Sequence, residues 1–103
     1  MRVIWQPSAK KSRSEVAAYI RRQFGAKRKV RFLQEVRQIT KMLCNAPNIG
    51  QIDPLYAERP AAYRSIIIGG LNKMVYRIDD DVINIVDFWD TRREPKSLAA
   101  QTE

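Results

Sequence analysis

The fold of this 103-residue chain is decided by the stretch Tyr76-Arg77-Ile78-Asp79-Asp80-Asp81-Val82-Ile83-Asn84-Ile85-Val86-Asp87-Phe88-Trp89-Asp90-Thr91-Arg92-Arg93-Glu94-Pro95. β-Branched and aromatic residues flank a run of three aspartates, and aspartate is typical of tight turns. The stretch therefore predicts a β-hairpin that leads into a segment with paired arginines. It places basic side chains beside an apolar strand surface, which suits a nucleic-acid-directed or protein-binding module.

The two strands of this hairpin are predicted to cover residues 73–78 and 82–89. Two more strands are predicted earlier in the chain. Tyr63–Ile68 is rich in isoleucine, and Gly69-Gly70 supplies turn chemistry between it and the strand that follows. At the N-terminus, Arg2–Trp5 is a short β-branched and aromatic run that stops before Pro7.

Two helices are predicted between the first strand and the last three, over residues 9–24 and 26–44. Ser8 is the expected N-cap of the first, and Gly25 is the break between them. Apolar residues at helical spacing predict the buried faces: Ala9, Val16, Ile20 and Phe24 in the first helix, and Phe32, Leu33, Val36, Ile39, Met42 and Leu43 in the second.

The element order βααβββ predicts an α+β domain in which the helical hairpin packs on one face of a largely antiparallel four-stranded sheet. We expect one domain over residues 1–95 and a polar tail over residues 96–103, with one helical turn near residues 94–100. A two- or four-residue turn at Gly69-Gly70 would put even-numbered residues of the strand before it on the same face as odd-numbered residues of the strand after it. The more apolar of the two resulting faces should pack on the helices, which leaves the other face open. The residues assigned to that face are Arg64, Ile66, Ile68, Lys73, Val75, Arg77, Asn84, Val86 and Phe88; those assigned to the helix side are Tyr63, Ser65, Ile67, Met74, Tyr76, Ile78, Ile83 and Ile85.

The charge is concentrated in the first half of the chain. Residues 1–50 carry 12 Lys or Arg against Glu15 and Glu35, whereas residues 51–103 carry 7 basic and 9 acidic residues. This asymmetry indicates a polyanionic partner, either nucleic acid or an acidic protein, although a solvated helical surface would look the same. The single Cys44 and the absence of histidine argue against a disulfide and a zinc site. We expect no metal, no cofactor, no membrane span and a cytoplasmic location.

The chain resembles the RelE/ParE superfamily of bacterial toxins through motifs in order over about ninety residues. The motifs are Trp5-Gln6-Pro7-Ser8-Ala9 with Val16, Tyr19 and Ile20; Phe32-Leu33, Val36, Ile39, Leu43, Pro47 and Gly50; and Tyr63-Arg64, Gly69-Gly70, Val75-Tyr76-Arg77-Ile78, Ile83, Ile85 and Arg92-Arg93-Glu94-Pro95. The resemblance implies the toxin component of a type II toxin–antitoxin system, held inactive by a cognate acidic antitoxin. RelE-like members cut messenger RNA on the ribosome, whereas ParE-like members poison DNA gyrase.

The resemblance to the RNA-cutting members implies four catalytic residues, which apply only if the chain is an mRNA interferase: Arg64, Lys73, Arg77 and Arg92. Two features depart from that pattern. Lys73 stands where an arginine is usual, and the segment after Arg93 has neither tyrosine nor histidine to move a proton. The Arg92-Arg93-Glu94-Pro95 ending is more similar to the ParE-like members.

Other residues are expected to bind the target or the antitoxin. They are Ile66, Ile68, Val75, Val86, Phe88, Trp89 and Arg93 on or beside the open face, and Lys27, Arg28, Lys29 and Arg31 near the tip of the helical hairpin. Three functions follow: a toxin that binds gyrase, which we favour; a ribosome-dependent endoribonuclease; and a degenerate member that only binds an antitoxin. The sequence leaves the oligomeric state and the identity of the antitoxin open.

Overall fold

The computed structural model describes residues 1–92. The chain forms β1 (Arg2–Trp5), α1 (Pro7–Phe24), α2 (Ala26–Asn45), β2 (Gln51–Ile52), a short 3-10 turn (Pro54–Tyr56), β3 (Tyr63–Ile68), β4 (Asn72–Asp79) and β5 (Val82–Asp90). The sheet order is β1-β5-β4-β3-β2. β1 runs parallel to β5, and the other neighbours are antiparallel. The α+β class and the helical hairpin on a largely antiparallel sheet are confirmed.

The sheet has five strands, not the four predicted, because β2 adds an edge next to β3. β2 has only two residues, and they pair with Ser65 and Arg64. A strand of two residues is too short to show a period-two pattern, so no local pattern predicts it. Part of the segment between α2 and β3, for which no element was predicted, thus becomes the edge of the sheet.

The start of α1 also differs from the prediction. The helix begins at Pro7, and the N-cap is Gln6, whose side chain makes no capping hydrogen bond. Proline is favoured at the first helical position because its missing N–H would have no partner there. The Ser8 hydroxyl instead donates to the Val86 carbonyl oxygen at 3.4 Å, linking α1 to β5.

The face assignment for β3 was wrong. Ile68 pairs with Asn72, so the β3–β4 loop has three residues, with Gly69 and Gly70 at φ of +65° and +77°. An odd loop length puts even-numbered β3 residues beside even-numbered β4 residues, since paired residues share a face. Ile66 and Ile68 therefore pack on the helix side, whereas Tyr63 lies on the other face.

The assignment of Phe88 was also wrong, for a different reason. Val75 pairs with Asp87 and Tyr76 with Ile85, so Val86 is an extra residue that forms a β-bulge. A bulge reverses the alternation of side chains beyond it. Asn84 and Val86 keep the predicted face, but Phe88 turns into the helix-side core and Trp89 faces away from the helices.

The main core lies between the helical hairpin and the sheet. Phe88 is at its centre, with its ring 5.8 Å from Phe32 and 6.2 Å from Trp5 between centroids. The predicted stripes supply most of the helical contribution, but Phe24 and Met42 are 59% and 47% exposed. Within the described part of the chain, no helix is long and apolar enough to cross a membrane.

Candidate functional site

A short segment covers the sheet face that was expected to be open. Residues 53–62 fold across it, and the Tyr56 ring stacks on Tyr63 at 4.8 Å and on Trp89 at 6.2 Å between centroids. With Val75 and Val86, these rings form a second buried cluster. We call residues 53–62 the cover segment. The apolar floor of this face is thus already occupied by the chain itself.

An ion pair anchors the start of the cover segment. The Lys73 Nζ lies 2.7 Å from the Asp53 Oδ2, and the Asp53 side chain is only 1% exposed. Burial would raise the pKa of Asp53, but the hydrogen bonds from Lys73, the Leu55 N–H and Ser65 together lower the pKa below its ordinary value. Lys73 also lies over the Trp89 ring at 5.7 Å. The predicted catalytic lysine is therefore held by a carboxylate inside the domain.

Arg77 is held in the same way at the other end of β4. Its Nε donates to Asp79 Oδ2 at 2.7 Å and its Nη1 donates to the Tyr63 hydroxyl at 3.2 Å. Asp79 accepts a further hydrogen bond from Asn84. The hydrogen bond from Arg77 is the main reason that the pKa of Asp79 is lowered.

The two remaining predicted cations also have intramolecular partners. Arg64 donates to the Gly50 carbonyl oxygen at 2.7 Å and to that of Asn48 at 3.3 Å, which fixes the approach to β2. Arg92 donates from its Nε to Asp90 Oδ1 at 3.0 Å. This hydrogen bond raises the pKa of the exposed Arg92 guanidinium.

The four predicted catalytic cations do not converge on one point. Arg64 pairs with Tyr76 in the β3–β4 ladder and so starts from the helix side of the sheet, contrary to the predicted open face. Lys73 and Arg77 share the other face, but they are four positions apart on β4, about 13 Å along the strand. Arg92 lies beyond the end of β5. A single phosphate could not contact all four in this arrangement.

Most apolar residues expected to bind a target or antitoxin are buried. Ile68 and Phe88 belong to the main core, and Ile66 packs against it. Val75, Val86 and Trp89 lie beneath the cover segment, so a partner reaches them only if that segment moves. Arg93 and the predicted tail lie outside the described residues.

The apolar surface that is exposed lies at the β2 edge, and sequence reasoning missed it. Ile49, Ile52 and Ile67 are 47%, 62% and 50% exposed. They line a shallow cavity of about 390 Å³ whose wall also includes Lys73. Since β2 is the last strand of the sheet, its outer backbone edge has no neighbouring strand among the described residues. We call this surface the β2 edge patch. Ile67 was missed because it was assigned to the helix side of the sheet, and the three-residue β3–β4 loop places it on the other face.

The basic residues predicted near the hairpin tip are on the surface. Lys27, Arg28 and Arg31 are exposed and Lys29 is half-buried. Arg28 lies over the exposed Phe24 ring, at 5.1 Å from its centroid. In residues 1–92 there is no group of three or more histidine, cysteine or acidic residues that could hold a metal ion. The geometry offers docking surfaces more readily than a reaction centre.

Comparisons with known proteins agree with this fold. The family model described as the ParE toxin of the type II toxin–antitoxin system parDE matches residues 3–95. A solved structure titled as the chromosomal ParDE TA system from P. aeruginosa is similar with a TM-score of 0.70 and 18% identity, covering 87% of this chain and 95% of that chain. The comparison with curated protein sequences gave no match.

Proposed function

Because the chain belongs to the ParE toxin family of type II toxin–antitoxin systems, we propose that it acts by binding its target and that this target is DNA gyrase. The observation that carries the proposal is the pairing of Lys73 with Asp53. In an RNA-cutting toxin this cation would have to meet charge that develops on the phosphate. Here it is committed to a buried carboxylate that anchors the cover segment.

The other cations support the same conclusion. Arg77 and Arg92 are each paired with a nearby aspartate, and Arg64 holds backbone carbonyls near β2. Cleavage requires donors arranged in advance around one reacting phosphate, together with groups that accept and donate a proton. The described residues provide cations in separate places. Inhibition by binding needs no such convergence.

The target can be tested directly with the purified chain. We expect it to inhibit DNA supercoiling by gyrase at concentrations that leave ribosome-bound messenger RNA intact. Arg92→Ala should cause at most a graded loss of inhibition, whereas loss of a transition-state contact would lower cleavage about 10²-fold or more. Arg92 is an exposed residue, so this change should leave the fold intact.

The other outcomes are equally informative. Cleavage of ribosome-bound message with supercoiling unaffected would replace the gyrase proposal with the mRNA interferase. An effect on neither process, from a chain that still binds its antitoxin, would indicate the degenerate member.

We also propose that a cognate acidic antitoxin neutralises the chain by adding a strand at the β2 edge patch. An edge strand presents unpaired backbone groups to an incoming segment, and apolar side chains give such pairing its specificity. Ile52 and Ile67 are exposed beside that edge. The formal net charge of +8 favours association with an acidic partner.

The antitoxin site can be tested with the product of the neighbouring gene. The double change Ile52→Ala and Ile67→Ala should weaken the complex about 10²-fold, because each isoleucine contributes about 1.5–3 kcal/mol when fully buried. Val30→Ala with Met42→Ala is the matched control, since both residues are exposed on α2 and neither lines the cavity at the β2 edge. Titration calorimetry gives the affinities. Equal losses from the two pairs would exclude the β2 edge patch.

A further inference from the structure

The whole net charge of the protein resides on the helical hairpin. α1 and α2 carry eleven Lys or Arg and two Glu, a net of +9 against +8 for the full chain. One of these acids is turned toward the sheet, because the Glu35 Oε1 accepts a hydrogen bond from the Gly69 N–H at 3.2 Å. The hairpin surface is therefore almost purely cationic.

A groove of about 530 Å³ runs between the two helices on this surface. Its walls combine cations with small polar or apolar residues: Arg13, Ser14 and Ala18 from α1, and Lys29, Arg37 and Thr40 from α2. Among residues 1–92, no carboxylate lines the groove. The small α1 side chains leave it open along its length.

Two cations lie along the α2 wall of the groove. Lys29 and Arg37 are eight residues apart on α2, about 12 Å along the helix axis. Arg13 lies on the opposite wall. An elongated anion lying in the groove would thus have positive charge on both sides.

The groove has little free apolar surface for a peptide. Amphipathic helices bind grooves by inserting apolar anchors, but Val36 and Ala17 at the bottom are already 3% and 4% exposed, and the larger apolar side chains of the wall, Trp5 and Leu33, are half-buried. The Arg13 guanidinium covers the Trp5 ring at 4.4 Å from its centroid. The groove is therefore better suited to bind a row of phosphate groups than the apolar face of an acidic protein.

We propose that the α1–α2 groove binds one sugar–phosphate strand of duplex DNA, with Arg13, Lys29 and Arg37 as the contacting cations. The inference does not depend on gyrase as the target, because it concerns binding to DNA alone. The contacts would be to phosphates and independent of sequence. Where gyrase is the target, the groove would place the chain beside the DNA that the enzyme holds.

The test is fluorescence anisotropy with a labelled 20-base-pair duplex over a series of salt concentrations. Each phosphate contact contributes about −0.9 to the slope of log affinity against log salt, so three contacts predict a slope near −3. Lys29→Gln with Arg37→Gln should bring it toward −1. Arg2→Gln with Arg59→Gln removes the same charge away from the groove and should leave the slope unchanged. Thermal melting confirms that both pairs stay folded.

Three outcomes would overturn the proposal. The first is no binding to the duplex at 50 mM salt. The second is an equal loss of slope in both double variants, which would indicate diffuse charge attraction and no defined groove. The third is binding of an acidic helical peptide, or of single-stranded RNA of the same length, that depends on Lys29 and Arg37 when duplex binding does not.

Discussion

Replacing Asp53 with Ala should lower the free energy of unfolding by about 3–5 kcal/mol, the range for breaking a buried ion pair. The Asp53 and Lys73 side chains are 1% and 17% exposed, so the lysine charge loses its partner in a site largely closed to water. The Leu55 N–H also loses the carboxylate that accepts from it at 3.0 Å. Denaturant unfolding measures the change.

A second substitution separates the ion pair from simple loss of packing. Asp53→Ala combined with Lys73→Met removes the lysine charge that Asp53→Ala alone leaves without a carboxylate partner, but keeps most of the lysine side-chain volume. We expect the double variant to be more stable than Asp53→Ala alone, because a buried pair can often be replaced by apolar residues at little cost. A cost below about 1 kcal/mol for Asp53→Ala would contradict the role given to the pair and would leave Lys73 available for chemistry.

The same pair predicts how stability depends on pH. The folded-state pKa of Asp53 lies below its ordinary value of 3.8, so its contribution is fully present at neutral pH. The contribution is lost progressively as the pH falls from about 3.8 to the folded-state pKa of Asp53. Below that folded-state pKa the carboxyl group is protonated in both the folded and the unfolded chain. In Asp53→Ala, the free energy of unfolding should therefore decrease less steeply than in the wild-type chain as the pH is lowered through this range.

These expectations bear on how toxicity data should be interpreted. Loss of toxicity in Lys73→Ala would not by itself identify a catalytic lysine, because the same change frees the cover segment and leaves Asp53 unpaired. Arg92 is the better probe, since it is exposed and its partner Asp90 lies two residues away. A functional role at Lys73 has to be judged on variants shown to be folded.

The strands and helices could be predicted closely because local pattern determines them. The β3 bounds Tyr63–Ile68 match, and the ends of the two helices and of the other predicted strands are within two residues; the helical turn predicted near residues 94–100 lies outside the described residues. The sheet faces could not be predicted, because they depend on two counts that composition does not fix: the length of the Gly69-Gly70 loop and the bulge at Val86. One residue more or less in either place reverses every side chain beyond it.

The candidate site could be predicted only as a set of residue types. Cations were expected on the middle strands, but the partner of Lys73 lies twenty residues away in a segment with no periodic pattern. The stacking of Tyr56 on Tyr63 and Trp89 likewise depends on how an irregular segment folds back, which no local signal reports.

Tyr76→Ala should lower the free energy of unfolding by about 3–5 kcal/mol, as for other large buried aromatic residues. The side chain is fully buried, and its hydroxyl accepts from the Gly50 N–H at 2.9 Å and donates to the Pro47 carbonyl oxygen at 2.8 Å. Burial raises the pKa of Tyr76, so the hydroxyl keeps the proton that it donates. Tyr76→Phe should cost about 1–3 kcal/mol, because both backbone groups lose their partner.

The position of Gly50 provides an independent check on this contact. A Cβ at Gly50 would lie 2.7 Å from the Tyr76 hydroxyl oxygen and 3.0 Å from the Ser65 carbonyl oxygen. The Cε1 atom of the Tyr76 ring would lie 2.8 Å away as well. Gly50→Ala should therefore destabilise the wild-type chain, but less so with Tyr76→Ala, where both the hydroxyl oxygen and the ring carbon are absent. Tyr19→Ala is the matched control, because Tyr19 is 41% exposed and should cost well under 1 kcal/mol. If Gly50→Ala costs the same in both backgrounds, the Tyr76 side chain does not determine the position of the backbone that enters β2.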